Sequence, residues 1–221
     1  MMRMLRSLLT AVLMLLSAGA LSVGVADFSA GLLDHVRNKW GRDAVVRLNN
    51  WHSTELEGKA NRSKDPSVLG KAELQIFNQF WNRVPYYSDQ DHWGMQDYWA
   101  TPVETLASNG ADCEDYSIAK YFSLKELGVP LGSLRITYAR ALKNNEAHMV
   151  LAYYPTPDAE PYILDNLNGS LALASERVDL EPVYSFNDED LWAGAAPFKG
   201  KSHQIRLWND LLAKMEKERQ M

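Results

Sequence analysis

Gly110-Ala111-Asp112-Cys113-Glu114-Asp115-Tyr116-Ser117-Ile118-Ala119-Lys120-Tyr121 carries the chain's one cysteine into the first turn of an expected helix. That helix should start near Asp112 and end at Gly128, with Val129-Pro130 just beyond as stop signals. The first backbone N–H groups of a helix lack intrahelical partners, and the macrodipole favours negative charge there. Both effects lower the pKa of the Cys113 thiol and raise its thiolate fraction, the nucleophilic form. Asp112, Glu114 and Asp115 act in the opposite sense. A bound cation would resolve that conflict. Helix capping is the other reading, with Asp112 as N-cap and Asp115 at N3. The two can coexist, because each carboxylate has several lone pairs. Hard oxygen donors with no nearby His or second Cys point to calcium rather than zinc or copper.

Three strand-like runs follow the helix: Leu134 to Ala141, His148 to Tyr154 and Tyr162 to Asp165, with a hairpin turn at Lys143-Asn144-Asn145-Glu146. His148 opens the second run and Asp165 closes the third. If these strands neighbour one another in a sheet, imidazole and carboxylate can share a face. The ring then has a thiol on one nitrogen and a carboxylate on the other, the arrangement of base and orienter. A lone His among apolar residues and an Asp in a turn each fit plain structural roles. The order is what carries weight: Cys at a helix start, His on a following strand, Asp on the strand after. Residues 166–200 read as loop-rich, and a last amphipathic helix covers about 202–218.

Upstream, residues 28–60 read as helix, with Leu32, Leu33, Val36, Trp40, Val45 and Leu48 at three- and four-residue steps. The polar run Asn61-Arg62-Ser63-Lys64-Asp65-Pro66 breaks it. A second helix is expected from Pro66 or Ser67 to Arg83, stopped by Pro85. Residues 85–103 form an aromatic loop from Tyr86-Tyr87 through Trp93 to Tyr98-Trp99, punctuated by Asp89, Asp91 and Asp97. Helices first, then a helix feeding an antiparallel sheet, make an α+β class.

At the N-terminus, Arg3 and Arg6 flank an apolar core over residues 8–16, followed by small residues up to Ala26. This is the pattern of a signal peptide, with an apolar core too short to span a bilayer comfortably. We expect a signal peptide over residues 1–26, cut before Asp27, and a single exported domain over 27–221; an uncleaved anchor is the alternative. Exported chains usually pair their cysteines, and the lone Cys113 has no partner within the chain. The composition, 46% apolar and 23% charged, excludes disordered and collagen-like classes. A net charge of -5 without a long basic run argues against a nucleic-acid partner.

These residues resemble the bacterial transglutaminase-like cysteine proteinases, most closely the periplasmic group that cleaves large surface adhesins. The strongest parts are Asp97-Tyr98-Trp99-Ala100-Thr101-Pro102, Gly110 through Tyr121, Ala147-His148-Met149-Val150-Leu151 and Ile163-Leu164-Asp165-Asn166. The resemblance implies a papain-like, transglutaminase-like fold and a Cys113–His148–Asp165 triad. It implies calcium dependence with Asp112 and Glu114 as ligands, Asp115 beside them, and Asp97 as a further candidate. By analogy Trp99 would offer its indole N–H to an oxyanion; a core aromatic is the alternative. It also implies an adhesin substrate cut near its N-terminus at paired small residues, with release from the cell surface and biofilm dispersal. The implied partner is the periplasmic domain of an inner-membrane cyclic-di-GMP receptor, which holds the protease inactive. A transglutaminase or amide acyltransferase, a peptidoglycan peptidase and a catalytically silent binding module remain as alternatives.

Overall fold

The structure, a computed structural model, describes residues 28–60, 69–193 and 198–221. The expected signal peptide and the polar break at 61–66 lie outside the described residues. The helices are α1 (Ala30–Trp40), α2 (Arg42–Ala60), α3 (Lys71–Trp81), α4 (Asp89–His92), α5 (Pro102–Ser108), α6 (Cys113–Glu126) and α7 (Arg206–Arg219). The strands are β1 (Leu134–Ala141), β2 (Glu146–Tyr153), β3 (Tyr162–Leu164), β4 (Ala172–Leu173), β5 (Leu180–Phe186), β6 (Asp190–Ala193) and β7 (Phe198–Lys201). They form one seven-stranded sheet in the order β4-β3-β2-β1-β5-β6-β7, and every pairing is antiparallel. The α+β class holds.

The cysteine helix is the hub. From Asp115 to Leu124 every residue of α6 is buried, so the helix is enclosed on all sides rather than amphipathic. One side meets the sheet in a cluster containing Ile118, Phe122, Leu134, Leu151 and Phe186, closed by Trp208 from α7. Another meets α1, α2 and α5 in a cluster containing Val36, Leu48, Trp51, Trp81, Leu106 and Tyr116. Ser123 ties α6 to α2 and α3 on this side, because its hydroxyl accepts the indole N–H of both Trp51 (2.8 Å) and Trp81 (2.9 Å).

Three expectations need correction. The single helix over 28–60 is two, because Gly41 takes φ 88° and turns the chain. The loop over 85–103 holds α4 and the first residues of α5, which Thr101 and Glu104 start with a capping box. The loop-rich stretch 166–200 supplies β4, β5 and β6 and the start of β7, which carry the sheet past β1 and β3 to both edges. Among the described residues, no helix is long and apolar enough to cross a membrane.

A second acidic pair lies away from the cysteine. Glu55 of α2 is 1% exposed, and neither of its carboxylate oxygens has a hydrogen-bond partner. Burial, with repulsion from Glu126 added, pushes its pKa up to about 8, and burial pushes Glu126 up to about 7. The folded state therefore keeps protons that the unfolded chain releases, and stability falls as pH rises from about 4.5 to about 8. Glu55→Gln is expected to flatten that slope and to add about 2 kcal/mol at pH 8. Urea midpoints at pH 5 and pH 8 check this; an unchanged difference between the two would refute it.

Candidate active site

The entry to α6 is pinned before the helix begins. Asn109 takes a left-handed φ of 59° and ends α5. Ala111 then donates its N–H to the Pro85 carbonyl (3.1 Å) and accepts the Tyr87 N–H (2.9 Å). Gly110 leaves room for the His92 ring, which a Cβ would meet at 2.4 Å. Asp115 accepts the Asp112 N–H (3.4 Å) on one oxygen and the Ala100 N–H (2.7 Å) on the other. The Asp112 contact is the capping role expected of Asp115 at N3, and the Ala100 contact ties the preceding loop to the same carboxylate.

Cys113 opens the helix and faces a cleft of about 750 Å³ that His148, Trp99, Asp97, Tyr138 and Tyr184 also line. His148 lies on β2 opposite Ala139 of β1, and the antiparallel β2–β3 register ends at Leu164, the residue before Asp165. The ring Nε2 of His148 is 2.8 Å from Asp165 Oδ1, with both residues buried. That contact leaves Nδ1 as the ring nitrogen for the thiol. The backbone N–H of Met149, next in sequence to His148, acts on Cys113 in the direction that favours the thiolate. Helix start, strand and strand end thus bring the three expected residues to one place. Burial alone would raise the Asp165 carboxyl, but His148, the Leu167 N–H and Arg177 hold it down at about 2.

The acids form a second cluster against the first. Among the described residues, Asp89, Asp112 and Glu114 bring their ligand atoms within 4.8 Å of one another. Asp112 is 8% exposed and its Oδ1 has no hydrogen-bond partner. Burial, with repulsion from Glu114, Asp115 and Asp89 added, drives its pKa far above the usual carboxylate range. Burial likewise pushes Asp89 up to about 6. Cys113 suffers the same field: burial, the Glu114 charge and a hydrogen bond from Sγ to Glu114 Oε2 (2.9 Å) all favour the neutral thiol.

Such a group fits a hard divalent cation. Calcium takes oxygen donors at about 2.3–2.6 Å, so its ligand oxygens sit within roughly 5 Å of each other. Asp89, Asp112 and Glu114 meet that spacing, offer oxygen alone, and include an unpartnered buried oxygen. Asp115 is not among the three residues whose ligand atoms meet that spacing, and each of its oxygens accepts one backbone N–H. Asp97 lines the cleft beside Trp99; burial pushes its pKa up, and the Trp99 side chain opposes that rise. The Trp99 indole lines the same cleft, and its ring stacks on Phe186 at 5.8 Å between centroids. Lys214 of α7 fixes this loop through the Trp99 carbonyl (2.6 Å) and Glu104 (2.9 Å).

Sequence reasoning missed Asp89 as a member of the acid cluster. It stands 23 residues before Asp112 in a loop with two other acids, and no spacing rule distinguishes the three. Its distinguishing contact is tertiary: its carboxylate accepts the N–H of Tyr98.

A family model described as bacterial transglutaminase-like cysteine proteinase matches residues 53–179. Among solved structures, an EGTA-treated form of Legionella pneumophila LapG is 38% identical, covering 87% of this chain and 98% of its own, with a TM-score of 0.73. A calcium-bound form of the same protein is 39% identical, covering 87% and 99%, with a TM-score of 0.69. No curated protein sequence gives a match.

Proposed function

The chain belongs to the bacterial transglutaminase-like cysteine proteinases, and from that premise we propose that it is a calcium-dependent endopeptidase with Cys113 as nucleophile. One observation carries the reading. Cys113 and His148 line one cleft, Asp165 stands 2.8 Å behind the imidazole, and the acid trio adjoins the same helix start.

His148 Nδ1 takes the thiol proton, and the sulfur attacks the scissile carbonyl carbon. Asp165 holds the ring in the tautomer that leaves Nδ1 free and stabilises the imidazolium. The developing oxyanion lies at the start of α6, where backbone N–H groups and the helix dipole favour negative charge. His148 then returns the proton to the departing amine, and water releases the acyl group from sulfur. Asp89, Asp112 and Glu114 would hold calcium. When bound, the cation offsets the acid charge at the helix start and so favours the thiolate. Glu114 accepts the Cys113 S–H, so it links the acid trio directly to the nucleophile. The calcium-bound form of Legionella LapG supports this choice of metal.

Family membership further supports a periplasmic location after signal removal. It also supports a large surface adhesin as substrate, cut in its N-terminal region to free it and disperse biofilm. Control by the periplasmic domain of an inner-membrane cyclic-di-GMP receptor completes the proposal. Incubating the protein with a candidate adhesin's N-terminal region, with and without chelator, tests the whole reading. We expect one cut, mapped by mass to paired small residues, that disappears with chelator. Incorporation of an added amine at that site would make the enzyme an acyltransferase. Digestion of purified sacculi with the adhesin intact would make it a muropeptidase.

A further inference from the structure

Behind Asp165 lies a buried cation that the mechanism above leaves unused. Arg177 is 6% exposed, and one terminal guanidinium nitrogen sits 2.7 Å from Asp165 Oδ2. Oδ1 of Asp165 serves the His148 ring and the Leu167 N–H (3.0 Å). Oδ2 has no aligned hydrogen-bond donor, so the charge of Arg177 is what it faces. The backbone on both sides is fixed. Asn82 donates to the Asp165 carbonyl (2.7 Å), while Arg177 is tied to the turn before β5 through the Ala174 carbonyl and the Leu180 N–H (both 3.1 Å).

Arg177 also grips Asp179 through two of its nitrogens, at 2.9 and 2.8 Å. The Asp179 side chain is 53% exposed, and an exposed pair alone contributes little. Drawing a guanidinium out of water to do only that would cost more than it returns. Its burial makes sense against Asp165, whose own buried charge needs an opposite one. Lys120 of α6, fully buried and without a hydrogen-bond partner, adds a second positive group toward Asp165 but makes no contact that could orient it.

We propose that Arg177 is a positioning residue: by clamping Oδ2 it sets the plane of the Asp165 carboxylate, and through Oδ1 the tautomer and angle of His148. The proposal rests on the catalytic reading above. Because the chain has one thiol, iodoacetamide reports on Cys113 alone. The test compares alkylation rate, the low-field imidazole N–H proton resonance and melting temperature in the calcium-loaded protein. Arg177→Met is expected to slow alkylation by about tenfold or more and to abolish the resonance, the scale of losing an oriented base. Arg177→Lys, which keeps the cation and drops the fork, should recover part of the loss and fall between the Met variant and wild type. Arg177→Gln keeps a polar head in the buried space and carries the comparison if the Met variant does not fold.

Wild-type rate and resonance in a folded Met or Gln variant would overturn the proposal, as would a Lys variant as slow as Met. A His148→Ala control separates the two layers. If that variant alkylates at the wild-type rate, the Cys113–His148 reading falls, whatever Arg177 does.

Discussion

Cys113→Ala is expected to lower cleavage at least about 10,000-fold, to the level set by binding alone, because on the proposed mechanism removing the nucleophile removes the covalent route. His148→Ala should fall nearly as far. Asp165→Asn should lose about 100- to 10,000-fold, since it keeps the shape but inverts the tautomer preference of the ring. None of the three changes removes a carboxylate of the trio Asp89, Asp112 and Glu114, and only Cys113→Ala takes away a hydrogen-bond donor to it, the thiol on Glu114. Calcium should therefore still raise the melting temperature of each, and that separates loss of chemistry from loss of fold. Initial rates on an adhesin fragment, with melting curves for each variant, make the measurement. Cleavage by Cys113→Ala above one-hundredth of wild type would remove the nucleophile assignment.

How much of this was legible depended on whether the decisive contacts were local. The start of α6 could be read because Asp112, Cys113 and Asp115 follow one another, and its end because Gly128 and Val129-Pro130 stop it. β1, β2 and β3 showed through their apolar runs, and the β2–β3 register brings His148 and Asp165 within 2.8 Å. β5 did not show. Pro182 interrupts it, and the structure tolerates that proline in an inner strand at a register shift opposite Tyr138 and Ala139. β6 and β7 are four residues each, too short for any period to register. The break at Gly41 was hidden for a different reason. α1 and α2 bury Leu32, Val36, Ala44 and Leu48 in one cluster, so the apolar spacing runs on across the turn. In the site, local reading placed Asp115 as a cap but could not see that it also accepts the Ala100 N–H, nor that Asp89 turns inward from another loop.

That difference between Asp89 and Asp115 gives the second large effect, on metal dependence. Calcium at a hundredfold excess over its Kd should add about 2.7 kcal/mol to stability, which for a domain of this size is roughly 5–10 °C in Tm. Asp112→Ala combined with Glu114→Ala removes two of three clustered carboxylates, including the buried oxygen that has no other partner. We expect this variant to lose the calcium shift and to cleave no faster than the chelated wild type. Asp89→Asn should weaken calcium binding as well, because it removes a charge from the same group. Asp115→Asn should behave differently. It disturbs the acceptors for the Asp112 and Ala100 N–H groups, so the Tm falls equally with and without calcium. Melting curves across a calcium titration separate these cases. If the Asp112/Glu114 double variant keeps the full calcium shift and cleaves normally, the cation binds elsewhere, and the acids at the cysteine need another account. If Asp115→Asn alone abolishes the shift while the apo Tm is unchanged, Asp115 leaves its cap to ligate the ion, and the account of it as a cap alone falls.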